Sequence, residues 1–148
     1  MSPVATRSRS ELIEVIRSIP LFASLSKADV REVTKLCFEK HYDEDDVIVR
    51  QLEDAQLMVT LISGRARVTR DGKTLATVGP GHSVGEMGLI DGHHRSASVI
   101  AETPIEAIVL HRTAFLKLLD SNPAIVRKLL MMQTSRLREA DKKLSALG

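Results

Sequence analysis

Two glycines, a carboxylate and an arginine stand close together past the middle of the chain. Val84-Gly85-Glu86-Met87-Gly88-Leu89-Ile90 reads as a tight turn opening a short helix, and His93-His94-Arg95-Ser96-Ala97-Ser98-Val99 reads as a loop feeding a strand. The N–H groups that open a helix attract phosphate, and an arginine beside them neutralises it. A carboxylate in the same place repels phosphate, so Glu86 suits only a ligand that also brings hydroxyls to donate to it. A sugar phosphate or a nucleotide meets both demands. Gly85 permits a backbone turn that other residues resist, which lets amides approach the ligand. The N–H groups of Glu86 and Met87 would face the phosphate, and Gly88, lacking a side chain, leaves room for close contact. A charge-assisted hydrogen bond nets ~1.5–3 kcal/mol and a hydroxyl bond to Glu86 nearer ~1 kcal/mol, so Arg95 is the expected dominant anchor.

The elements that must hold this cluster follow from the patterning. Ser8 and Glu11 have capping-box spacing, and Leu12, Ile13, Val15, Ile16 and Ile19 recur at helical intervals up to Pro20. Ser26 is a good N-cap for a second helix with Val30, Val33, Leu36 and Cys37 on its apolar face. After Phe38 the pattern turns to short strands: 47–50, 57–62, 65–70, 73–78, then 96–101 and 105–111 beyond the glycine cluster. Arg70-Asp71-Gly72-Lys73 signals a type I′ hairpin, and Thr103-Pro104 a turn. Short antiparallel strands at this spacing imply a rolled or barrel-like sheet. The chain is helical again from Thr113, breaks at Asn122, and restarts with Pro123 as the first residue of a long final helix. Val126, Leu130, Gln133, Leu137, Ala140, Leu144 and Leu147 form a heptad seam on that helix. One amphipathic helix packed on its own domain and a parallel pairing helix are both compatible with it.

At 148 residues the chain is long enough for one domain with a real core. A net charge of +2 gives no argument for nucleic acid, and with aromatics at 3% and no Trp, platforms for stacking bases are scarce. The core must be aliphatic. A single cysteine, Cys37, allows no disulfide within the chain and suits a reducing compartment. It is expected to be a buried, inert thiol. The polar stretch from Met1 to Ser10 does not resemble a secretory signal, and no run of ~18 apolar residues could span a membrane, so a cytoplasmic location is expected.

The cluster also carries a resemblance. Gly85-Glu86, Leu89 and Arg95-Ser96-Ala97 resemble the phosphate-binding cassette of the cyclic nucleotide-binding domains found in bacterial catabolite activators, protein kinase regulatory subunits and gated channels. Ile19-Pro20-Leu21-Phe22 with Leu25-Ser26, Leu61-Ile62-Ser63-Gly64 and Gly79-Pro80-Gly81 are similar to further family segments, from about Ile19 to the end of the chain. The resemblance implies a mainly β fold with flanking helices: an antiparallel, jelly-roll-like β-roll with N-terminal helices, a short cassette helix and a long C-terminal helix. It implies an N-terminal extension over 1–18 and the binding domain over 19–148, with the last helix at 123–147. It further implies that Glu86 accepts the ribose 2′-hydroxyl, Arg95 pairs with the cyclic phosphate, Ser96 donates to the phosphate or a purine edge, and Ala97 supplies a backbone N–H.

Cyclic AMP is the expected ligand, with cyclic GMP as the alternative; no further cofactor is expected. Ligand binding is expected to reposition the C-terminal helix, read by an effector protein or by an output domain outside this chain, which stops before the helix-turn-helix of the family's transcription factors. The last helix is the other expected contact, as the partner of the base or of a second copy. Where family members cap the base with Thr or Ser, this chain places Ala140 and Asp141; Asp141 could accept from an adenine amino group and Arg138 could stack on the base. Gln51-Leu52-Glu53 departs from a turn in which the family often has glycine.

Other readings are weaker. His82, His93 and His94 with a β-barrel invite comparison with cupin metalloenzymes, but the His-x-His pair is missing, and adjacent histidines on a strand point to opposite faces. A ligand-free dimerisation module of the same fold is the remaining alternative. Asp43-Glu44-Asp45-Asp46 lacks the spacing of a calcium loop and reads as a solvated turn. The basic residues of the last helix read as its solvated exterior. No residue set resembles a catalytic triad or an acid–base pair, so the chain is not expected to be an enzyme.

Overall fold

The computed structural model describes residues 7–23, 25–54, 56–84 and 97–147. Two helices, α1 (Arg9–Ser18) and α2 (Lys27–Leu36), flank a 3-10 turn at Pro20–Phe22. The strands are β1 (Cys37–Tyr42), β2 (Val47–Val49), β3 (Leu57–Ser63), β4 (Ala66–Arg70), β5 (Lys73–Val78), β6 (Ser83–Val84), β7 (Ser98–Ala101) and β8 (Ile105–His111). Helices α3 (Arg112–Ser121) and α4 (Pro123–Leu147) close the chain.

Local chemistry explains the boundaries. Ser8 Oγ accepts from the Glu11 N–H at 3.2 Å while Glu11 accepts from the Ser8 N–H at 3.3 Å, a complete capping box. Ser26 Oγ caps α2 through the Asp29 N–H at 3.2 Å. At the β4–β5 hairpin Asp71 and Gly72 take φ of 51° and 81°, the two positive values a type I′ turn requires. Pro123 opens α4 where its missing N–H costs nothing.

The strands form two four-stranded antiparallel sheets among the described residues, ordered β1-β8-β3-β6 and β2-β7-β4-β5. The first sheet is covered on both faces. Successive side chains alternate across it. Met58 and Leu110 turn towards the helices, where they join Ile16, Phe22, Val33, Phe115, Ile125 and Leu129. Val59, Leu61, Ile105, Ala107 and Val109 turn the other way and meet Ile48, Ala66, Val99 and Ala101 from the second sheet inside the roll. This is the antiparallel β-roll with flanking helices that the sequence implies.

Two elements depart from the sequence reading. Leu36 is 39% exposed, and Cys37 begins β1 instead of extending the apolar face of α2, which is made by Val30, Val33 and Thr34. The helix ends at Leu36 and the chain passes directly into the edge strand β1, so Leu36 falls outside the apolar contact. Strand β1 itself is masked in the sequence by Glu39, Lys40 and His41. Its polar side chains are satisfied by neighbours: Glu39 pairs with Arg7 at 3.1 Å, and the Lys40 ammonium lies 5.1 Å from the Tyr42 ring centre. Arg7 also reaches Glu106 on β8, tying the start of the chain to two adjacent strands.

The turns at one end of the roll interlock. The Arg65 N–H donates to Thr103 Oγ1 at 2.9 Å, and the Glu102 N–H donates to the Arg65 carbonyl at 2.9 Å. Gly64, with φ of 90°, sits so close to the second turn that a Cβ there would lie 2.3 Å from the Pro104 carbonyl oxygen. The family-like glycine of Ser63-Gly64 is therefore required by both conformation and space.

Candidate functional site

Most of the cassette, Gly85, Glu86, Met87, Gly88, Arg95 and Ser96, lies outside the described residues, as do His93 and His94. Its flanks are placed. The chain leaves the first sheet at Val84, which pairs with Val59, and joins the second at Ser98, which pairs with Thr69. Ala97, the last residue of the expected set, is half-buried immediately before β7. The two flanks thus belong to opposite walls of the roll.

Both flanks are held by polar contacts. On β6, Ser83 Oγ and Thr60 Oγ1 are 2.7 Å apart across the pair, and Thr60 is buried. At the first residue of β7, Ser98 Oγ accepts from the Gln51 N–H at 2.9 Å. Gln51 also exchanges two 3.1 Å hydrogen bonds with Asp71, through its amide nitrogen to the carboxylate and its amide oxygen from the Asp71 N–H. One glutamine therefore joins the β2–β3 turn, the β4–β5 hairpin and the start of β7. Sequence reasoning passed over Gln51, treating its segment only as a departure from the family. The adjacent Leu52 adopts φ of 71° with its side chain 72% exposed, where a glycine would be unstrained.

A cavity of about 330 Å³ lies between the 3-10 turn, the β5–β6 turn and α4. Leu21, Pro80, His82, Ser83, Met132 and Arg136 line it. Its rim at Ser83 is two residues before Gly85. Arg136, which the sequence reading used only to align the last helix, is the guanidinium that α4 turns towards this region. Arg138 and Asp141 are exposed. Arg138 lines a different groove with Leu130 and Thr134, roughly half a turn round the helix from Arg136.

Titration behaviour marks the interior. Burial pushes the Cys37 thiol up to about 12, so it stays protonated and inert. Burial, with the Asp46 charge adding to it, raises Tyr42, whose buried hydroxyl has no hydrogen-bond partner among the described residues. Hydrogen bonds to Glu106 and then Glu39 raise Arg7. Among the described residues no group of three or more His, Cys, Asp or Glu is placed to hold a metal ion. The acidic run forms the β1–β2 turn, where the Asp43 N–H donates to Asp46 Oδ2 at 2.7 Å. No helix among the described residues is long and apolar enough to cross a membrane.

Comparison with known proteins adds an independent line. Residues 39–122 match the family described as "Cyclic nucleotide-binding domain". The chain is 32% identical over 138 residues to the cyclic AMP receptor protein of Thermus thermophilus, covering 90% of this chain and 64% of that protein. It is 28% identical over 127 residues to the cAMP-dependent protein kinase type II regulatory subunit of Drosophila melanogaster, covering 86% of this chain and 34% of that one. The chain thus spans between about a third and two-thirds of the length of these relatives. The crystal structure of a cyclic nucleotide-binding domain from Methylobacillus flagellatus superimposes with a TM-score of 0.76 at 28% identity, over 95% of this chain and 84% of that chain.

Proposed function

The chain belongs to the cyclic nucleotide-binding domain family, and from that premise we propose that it is a regulatory sensor for cyclic AMP whose output is the position of α4. Gly85–Gly88 and Arg95–Ala97 are the cassette. The amides of Glu86 and Met87 and the Arg95 guanidinium hold the cyclic phosphate, Glu86 takes the ribose hydroxyl, and Ser96 and the Ala97 N–H complete the anion site. The base contacts expected on α4 are Arg138 and Asp141, both exposed, with Arg138 on a groove other than the one that Arg136 lines. Relatives named for cyclic AMP match at 28–32% identity and two cGMP-dependent protein kinases of Drosophila melanogaster at 26%, which favours cyclic AMP over cyclic GMP.

The observation that carries the reading is the cavity. The β5–β6 turn that feeds the cassette and the helix that would report on it share one lining, with Ser83 on one side and Met132 and Arg136 on the other, which supports a route from the cassette to α4. A ligand shifts α4 only by binding its two arrangements with different free energies. Three inward side chains, Ile125, Leu129 and Met132, seat the helix on the helical core. Its heptad seam stays outside: Leu130, Leu137 and Leu144 are 63%, 72% and 68% exposed. That exposure favours the pairing helix over one packed on its own domain, and a homodimer through α4 belongs to this reading. An effector protein, or an output domain fused in the complete polypeptide, would read the change. A cytoplasmic setting fits a lone thiol kept neutral by burial.

Calorimetry with cyclic AMP, cyclic GMP and AMP tests the site. Cyclic AMP is expected to bind most tightly and AMP least. Arg95→Ala is expected to weaken cyclic AMP binding by about a hundredfold or more, and Glu86→Ala by less. Cyclic AMP at ~100 times its dissociation constant should stabilise the fold by ~2.7 kcal/mol. Undiminished affinity in the Arg95 variant refutes the assignment.

A further inference from the structure

The start of β7 is held differently on its two sides. Towards β4 it has ladder partners, Thr69 opposite Ser98 and Val68 opposite Val99. Towards β2 the register runs from Val47 opposite Ile100 to Val49 opposite Val99 and goes no further. A side chain continues the contact there, for the Gln51 N–H donates to Ser98 Oγ at 2.9 Å. Ser98 follows directly on Ala97, whose backbone N–H belongs to the anion site proposed above. What holds Gln51 in place therefore sets an anchor one residue from that amide.

Gln51 is held in turn by the tip of the β4–β5 hairpin. Its Nε2 donates to Asp71 Oδ1, and its Oε1 accepts from the Asp71 N–H, both at 3.1 Å. The two bonds use both ends of one side-chain amide, so its position and its rotation are fixed together. Asp71 stands at φ of 51° in the type I′ turn, which gives the pair a defined base. Immediately after Gln51, Leu52 takes φ of 71°, a conformation that a leucine keeps only where its surroundings over-determine it. The three hydrogen bonds of Gln51 contribute that constraint, and backbone strain of this kind gathers at ligand clamps.

We propose that Gln51 is a positioning residue for the anion site, coupling the tip of the β4–β5 hairpin to the Ala97 amide through Ser98. This rests on the sensor reading above and adds a residue outside the cassette on which ligand affinity depends. Coupling between sites is reciprocal, so a load on the hairpin tip and a ligand in the cassette each alter the other's free energy.

An exchange of donor and acceptor tests it, with cyclic AMP binding to the whole chain measured by calorimetry and the melting temperature of the unliganded protein followed alongside. Gln51→Glu sets a second carboxylate against Asp71 and removes the donor between them. It is expected to weaken cyclic AMP binding about tenfold, within the usual range of coupling between sites. Asp71→Asn alone keeps an oxygen that accepts from Gln51 and makes the favoured Asn-Gly turn, so it is expected to bind within about twofold of the wild type. In the Gln51→Glu/Asp71→Asn double variant the asparagine amide donates to the new carboxylate, and affinity is expected to return close to that of the wild type. Ser98→Ala removes the other end of the clamp. It is expected to weaken binding by itself and to leave Gln51→Glu little further effect. Unchanged affinity in Gln51→Glu, even with a lowered melting temperature, makes the clamp purely structural and refutes the positioning role while the sensor reading stands. A loss that Asp71→Asn does not repair refutes the link to the hairpin. A wild type that binds no cyclic AMP refutes the sensor reading and the proposal with it.

Discussion

Gly64→Ala is the perturbation whose size the structure sets most directly. Two costs act there. The first is conformational: φ is 90°, and an L-residue in the left-handed region loses ~1–2 kcal/mol. The second is spatial: the new methyl would lie 2.3 Å from the Pro104 carbonyl oxygen and 2.8 Å from Ile105 Cγ1. The carbonyl belongs to a backbone pinned by the Arg65–Thr103 hydrogen bonds, and Ile105 is buried in the roll interior, so neither gives way cheaply. Overpacking of this kind costs ~1–3 kcal/mol. Together these give a loss of ~2–5 kcal/mol, a large part of the ~5–15 kcal/mol that holds a typical domain folded. At ~2–4 °C per kcal/mol, the melting temperature followed by circular dichroism should fall by ~5–20 °C. Gly72→Ala and Gly81→Ala are the controls. Their φ values are 81° and 87°, with nothing within 4 Å of an added Cβ, so they carry the conformational cost alone. Equal losses at Gly64 and Gly72 would refute the close approach of the two turns.

Leu52→Gly should stabilise: it relieves a leucine at φ of 71° whose side chain is 72% exposed, and after the entropy of the added glycine a gain of ~0.5–1 kcal/mol remains, visible as a rise of ~1–3 °C in melting temperature. Cys37 should label with a thiol reagent at pH 8 about a thousandfold more slowly than an unfolded thiol, since burial lifts it from 9.0 to about 12. The same shift makes stability decline as pH rises from 9 towards 12, because the unfolded thiol ionises first; urea denaturation of the wild type and Cys37→Ala across that range should separate, with the alanine variant lacking that part of the decline.

The sequence reading succeeded where one local signal and one tertiary contact agree. The capping box at Ser8, the Asp71-Gly72 hairpin and the Pro123 helix start are short-range chemistry, and each stands in the structure as read. It failed at β1 because Glu39 looks solvated until Arg7, distant in sequence, is brought beside it, and because Lys40 is exposed within the strand. A two-residue strand such as β6 has no periodicity to read; it exists through its pairing with Val59 and Thr60. At the site, Gly85, Glu86 and Arg95 are close in sequence and of types that suit a sugar phosphate, but they lie outside the described residues. Gln51 was not legible, since its role depends on joining Ser98 and Asp71, which are distant in sequence. The heptad on α4 was legible as a seam, but only its exposure told which way it faces.

The central sheet is a partition between two compartments of grease. Met58 and Val59 are neighbours on one strand yet belong to different cores, as do Leu110 and Val109. A slip of one residue in β3 or β8 would exchange the contents of both compartments at once. A displacement of either strand is felt on its two sides in the same instant, with no relay of side chains between them. The roll and the helices that carry α4 therefore share a single rigid wall, and evolution cannot retune one without rewriting the other.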